Sequence, residues 1–185
     1  MKSNNPYKTL STKVVYKNPW ITIHEDAVIL PNGKNGIYGY LESRDSCMIV
    51  TVNDQNQIYF VRGYRYPSKT FGWELPGGGG DNEDLLEASK RELEEETGII
   101  AEDWKRLGEA YVCNGLLTEK MIICLAHNLS FTGKKEIASG EKFNDARFFS
   151  KTEIDSLIQA GEINDCQTLT GLHYYELYLK GKEEK

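Results

Sequence analysis

Glu92, Glu95 and Glu96 stand at spacings i, i+3 and i+4, which on a helix puts three carboxylates on one face. Grouped carboxylate oxygens are hard donors suited to Mg2+, with Mn2+ as a possible substitute. A few residues earlier runs Gly77-Gly78-Gly79-Gly80, where the lack of side chains lets backbone amides and carbonyls approach a metal or a phosphate. Arg91, eight residues after Glu83, can tie the acidic face to the glycines. The pattern is unfavourable for a plain surface helix. Acids near a helix C-terminus oppose the macrodipole at about 0.3–1 kcal/mol each, and Glu92 with Glu96 makes a like-charge i,i+4 pair.

These residues need elements to position them. A helix is expected from Glu83 to about Thr97, capped by Asp81 or Asn82 and stopped by Gly98. The glycine run reads as a loop, since it favours neither helix nor stable strand. Strands are expected at 47–52 and 57–62, with Trp73-Glu74-Leu75-Pro76 ending a further extended piece. Residues 1–40 contain short β-rich pieces separated by turns such as Pro31-Asn32-Gly33. Later strands are expected at 110–113, 120–127 and 146–149, and helices at 152–160 and 166–180. The order suggests an α+β class or a layered α/β/α domain.

The 185 residues include 28 acids and 22 bases, a formal charge of −6, and 39% are hydrophobic. This composition predicts a folded domain with a small appendage and argues against disorder. No apolar stretch is long enough for a membrane-spanning helix, and Met1-Lys2-Ser3-Asn4-Asn5-Pro6 has no apolar leader segment. The acidic balance disfavours binding a nucleic-acid duplex through a basic stripe. Cys47, Cys113, Cys124 and Cys166 stand far apart. They read as free thiols, which fits a cytoplasmic location.

The full spacing is more specific than the acids alone. Gly77, five residues, Glu83, seven residues, then Arg91-Glu92-Leu93-x-Glu95-Glu96-x-Gly98-Ile99 resembles the signature of Nudix hydrolases, with the 23-residue motif at 77–99. The resemblance implies a Nudix fold, a mixed β-sheet sandwiched between helices (α/β/α), and divalent-metal hydrolysis of nucleoside diphosphates linked to another moiety. It also implies that Glu92, Glu95 and Glu96 bind metal, that the carbonyl of Gly77 or a neighbouring glycine adds a ligand, and that Glu83 and Arg91 support the site.

Outside the signature, Asn18-Pro19-Trp20-Ile21, Val61-Arg62-Gly63-Tyr64-Arg65-Tyr66-Pro67, Trp73–Pro76 and the stretch from Gly161 to Thr168 resemble the ADP-ribose and nucleoside diphosphate sugar pyrophosphatase branch. That resemblance implies an N-terminal β subdomain over 1–43 that joins two chains into a homodimer, and a hydrolase domain over 44–185. Arg62 and Arg65 are candidates for the substrate's diphosphate, because a guanidinium binds such groups bidentately. Trp20 is a candidate for stacking on the base. The same resemblance implies a general base in the loop before 146–149, which makes Glu141 the candidate, with Glu119 a weaker alternative. Where ADP-ribose hydrolases carry a segment like Ser-Pro-Gly, this chain has Cys113-Asn114-Gly115. GDP-mannose, another nucleoside diphosphate derivative, or a non-catalytic nucleotide-sugar sensor therefore stay beside ADP-ribose as readings.

Overall fold

The computed structural model describes residues 5–80, 83–133 and 143–183. The chain divides into two compact units, Met1–Arg44 with Tyr111–Glu119, and Asp45–Ala110 with Lys120–Lys185.

In the first unit, β1 (Lys8–Lys17), β2 (Thr22–Ile29) and β3 (Asn35–Glu42) form an antiparallel sheet in chain order. The β2–β3 turn uses Gly33 at φ 80°, a left-handed conformation that glycine adopts without strain. Residues 111–119 join this unit through backbone bonds: Leu41 N–H donates to Leu116 O at 2.9 Å, and Thr118 N–H to Leu41 O at 3.1 Å.

The second unit contains β4 (Ser46–Thr51), β5 (Ile58–Arg65), β6 (Thr70–Glu74), β7 (Gly77–Gly79), α1 (Leu85–Thr97), β8 (Ile99–Tyr111), β9 (Lys120–Phe131), β10 (Phe143–Phe149), α2 (Lys151–Gln159) and α3 (Cys166–Glu183). Two sheets result, a four-stranded one ordered β7-β4-β9-β8 and a three-stranded one ordered β10-β5-β6. β4 and β9 run parallel, which makes the larger sheet mixed. The continuous apolar run of β4 is buried on both faces, as an inner parallel strand requires. Ile49 joins Tyr59, Val61, Leu93, Ile99 and Ala126 in one core cluster, while Cys47 packs with Ala88, Ile122 and Cys124 in another. Leu93 and Ala88 are thus the inner face of α1. On the other side of the strand, Gly171 of α3 approaches so closely that a Cβ there would lie 2.7 Å from Leu75 and 3.9 Å from Val50.

Three sequence expectations need correction. The glycine run is not simply a loop: Gly77, Gly78 and Gly79 form β7, paired antiparallel with Met48, Cys47 and Ser46. A side chain would prevent this pairing, since a Cβ at Gly77 would strike Cys47 O. The helix starts at Leu85 rather than Glu83, with Asp84 as its cap. The Asp84 carboxylate accepts from Leu86 N at 2.9 Å and Glu87 N at 3.4 Å. Asp81 and Asn82 lie outside the described residues. The strand expected at 110–113 begins at Ile99, directly after Gly98, and ends at Tyr111. Its paired charges at Glu102-Asp103 and Lys105-Arg106 hid the β pattern, although Ala101 and Trp104 pack against the core.

The segment leading to the glycines is pinned from α3. Thr168 is fully buried, and its Oγ1 accepts from Leu75 N at 3.1 Å. Thr168 N in turn donates to the Asp165 carboxylate at 2.7 Å, a cap at the start of α3. Thr168→Val keeps the shape but leaves the buried Leu75 N–H unpaired. The variant should lose about 1–3 kcal/mol of stability, read from the midpoint of chemical unfolding. An unchanged midpoint would show that this bond does not hold the segment.

Candidate active site

Arg91 is the hub of the signature helix. Its Nε and Nη2 donate to Glu83 Oε1 at 3.0 and 2.8 Å, and Nη2 also reaches Gly79 O at 3.3 Å. Its Nη1 lies 3.0 Å from Glu92 Oε1 and 3.0 Å from Glu95 Oε2. Partial burial pulls the Arg91 pKa down. The Glu83 hydrogen bond and the charges of Glu92 and Glu95 outweigh that and hold it above the ordinary arginine value. One guanidinium thereby binds three acids and the glycine strand together. Glu83 and Arg91 are joined as the sequence suggested.

The acids of α1 lie against β7. Glu96 is buried, and its Oε2 accepts from Gly77 N at 3.1 Å. A Cβ on Gly78 would come within 2.5 and 2.6 Å of the Glu92 carboxylate oxygens. The glycine is therefore what lets this acid rest on the strand. Glu95 sits at the more open edge, beside Arg91. Gly98 ends the helix at φ 68°, donating to Glu94 O at 2.8 Å.

The three carboxylates share a face, but among the described residues no three His, Cys, Asp or Glu side chains form a ready-made ion cage. Arg91 holds Glu92 and Glu95, while the Gly77 amide holds Glu96. The donor set still fits a divalent cation. It consists of oxygens only, carried on one helix, beside a strand of glycines that bear no side chains of their own.

Arg62 and Arg65 fall on opposite faces of β5, as residues three apart on a strand must. Arg62 lies over the rings of Phe71 and Trp73, at 5.6 and 5.9 Å, with a buried Nε that has no hydrogen-bond partner. Arg65 forks onto Glu74: Nε contacts both carboxylate oxygens at 3.1 and 3.0 Å, and Nη2 contacts Oε2 at 2.5 Å. The two guanidinium groups therefore leave opposite faces of β5. Trp73 is buried edge-on to Phe149 and serves packing. Trp20, in the first unit, is 85% exposed. Glu119, also in the first unit, accepts from Ser43 Oγ at 3.1 Å. Glu141 lies outside the described residues.

Sequence reading missed Glu74 and Thr168. The first left a signal, because an acid inside the apolar piece Trp73–Pro76 must find a partner when buried. The second left none beyond its place in a helix start.

Comparison with known proteins bears on the same elements. The nucleoside diphosphate sugar hydrolase N-terminal domain matches residues 7–41, and the NUDIX domain matches residues 42–167. The chain is 25% identical over 171 residues to an ADP-ribose pyrophosphatase of Bacillus subtilis, covering 92% of each chain. It is 28% identical over 174 residues to a methanol dehydrogenase activator of Bacillus methanolicus, again covering 92% of each. It is also 26% identical over 161 residues to a CMP-5'-(N-acetyl-N-hydroxy-3-aminopropyl)phosphonate hydrolase of Streptomyces rubellomurinus, covering 86% of this chain and 77% of that one. A solved structure of an ADP compounds hydrolase shares the fold, with a TM-score of 0.85, 22% identity and 98% of each chain covered. Because the NUDIX match takes in both the glycine strand and the acidic helix that Arg91 joins, the chain belongs to the Nudix family and is a Nudix hydrolase, one of a family that generally works with divalent metal ions.

Proposed function

We propose that the enzyme cleaves the diphosphate of a nucleoside diphosphate sugar, ADP-ribose foremost, with Mg2+ as its ion and Mn2+ as a substitute. The observation that carries this reading is the seating of Glu92 on Gly78 and of Glu96 on the Gly77 amide. It brings helix carboxylates and a side-chain-free glycine backbone into one place. The ADP-ribose pyrophosphatases among the relatives support the substrate class.

Glu92, Glu95 and Glu96 would hold the ions, with the carbonyl of Gly77 or an adjacent glycine as a further donor. Bound divalent ions neutralise charge on the diphosphate and make water more acidic. Arg91, anchored by Glu83, keeps α1 in register with β7, so the acids cannot swing away when they are loaded. Arg65 offers a guanidinium to the diphosphate, and Trp20 an exposed indole to the base. Glu141 takes the proton of the water that attacks phosphorus. The phosphoric anhydride bond breaks, leaving a nucleoside monophosphate and a sugar phosphate.

A second reading, with a base other than adenine, draws on Cys113-Asn114-Gly115 in place of a proline-bearing segment and on the CMP-named relative. A panel of ADP-ribose, GDP-mannose and a CMP-linked ester with Mg2+ or Mn2+ separates the two. AMP release from ADP-ribose at the highest kcat/KM is expected. Preference for another member would move the substrate to that member, and no hydrolysis of any would end the nucleotide-sugar reading. Glu96→Gln can keep its bond to Gly77 N. It should unfold like the wild type yet lose on the order of 100-fold in kcat, and Glu141→Gln should lose about 10²–10⁴-fold. Near wild-type rates in either variant would remove that residue from its role.

The first unit supports a homodimer. β1 is exposed along its whole length, with Leu10, Val14, Val15 and Tyr16 each about half exposed. A long, exposed edge strand that carries several large apolar side chains is a template for pairing with another chain. Sedimentation at micromolar concentration should give twice the 21.0 kDa chain mass; a monomer would contradict this.

A further inference from the structure

Glu74, the partner of Arg65, and the glycine strand lie on one short segment, Glu74 ending β6 and Gly77 opening β7. Glu74 has a side chain only 9% exposed, while that of its partner Arg65 is 55% exposed. Burying an acid to hold a half-exposed arginine gives little net stability, because desolvation offsets the attraction. Its effect is geometric. With Nε on both oxygens and Nη2 on one of them, the plane of the guanidinium is set by the carboxylate.

Glu74 is itself held firmly. It stands opposite Val61 in the β5–β6 ladder. On one side of it Trp73 N donates to Glu162 O at 2.9 Å, and on the other Leu75 N donates to Thr168 Oγ1. Pro76 O then accepts from Ile49 N at 2.9 Å, and the next residue is Gly77. The support of Arg65 and the backbone under Glu96 are thus fixed in one frame.

We propose that Glu74 is a positioning residue: it presents Arg65 to the substrate's diphosphate in register with the glycine strand and the acids of α1. The inference rests on reading Arg65 as a diphosphate contact.

The test combines ADP binding by calorimetry without divalent ions and steady-state hydrolysis of ADP-ribose with Mg2+. The variants are Glu74→Gln, Arg65→Lys, Arg65→Ala and the Glu74→Gln/Arg65→Ala double variant. Glu74→Gln should weaken ADP binding and raise KM about 10-fold with kcat nearly unchanged. Arg65→Lys keeps the charge but loses the fork, so it should lose a similar factor even if the Glu74 variant folds poorly. The double variant should be no weaker than Arg65→Ala alone, because one residue acts through the other. Losses that multiply in the double variant would overturn the role of Glu74 and leave that of Arg65 standing, as would wild-type affinity in Arg65→Lys. An unchanged ADP affinity in Arg65→Ala would overturn the diphosphate contact itself, and the inference with it.

Discussion

Four glutamates of one short motif repel one another, and a single arginine in their midst makes the arrangement tolerable. Arg91 touches Glu83, Glu92 and Glu95 and reaches the Gly79 carbonyl. Without it, three acids in the last two turns of α1 would face each other and the negative end of the helix dipole, at about 0.3–1 kcal/mol each. The acids are kept because the cost is spread, not removed. A divalent cation held at this face, as proposed, would add the positive charge that offsets this repulsion.

That electrostatic arrangement works only if the helix stays at one height above the glycines. Two features secure it. β4 is sandwiched, with Cys47 and Ile49 packed toward α1 and Val50 toward α3, so β7 pairs with a strand that cannot shift. The run Trp73–Pro76 is bonded to Glu162, Thr168 and Ile49 in succession. The core therefore positions the chemistry from beneath. Charged groups above it need only short reaches, each close to 3 Å.

Much of this was legible in the sequence, for identifiable reasons. The spacing of Glu83, Arg91, Glu92, Glu95 and Glu96 dictates which side chains can meet on a helix, and Gly98 marks the end of that helix. The apolar run at 47–52 reads directly as a buried strand. What was not legible depends on partners distant in the chain. Gly77–Gly79 becomes a strand only because the edge of β4 is open to it, and no local propensity reports that. α1 starts at Leu85 because the Asp84 carboxylate caps its first turn. Arg62 and Arg65 look alike in sequence, yet strand alternation gives one to an aromatic face and the other to Glu74.

The acidic face of α1, laid against β7, is proposed as a divalent-metal site. Crystals soaked in Mn2+ and measured at the manganese absorption edge test it most directly. Anomalous peaks are expected between α1 and β7, within about 2.0–2.6 Å of oxygens from Glu92, Glu95 and Glu96. Manganese bound elsewhere, with none at these carboxylates under conditions where the enzyme hydrolyses its substrate, would contradict the account.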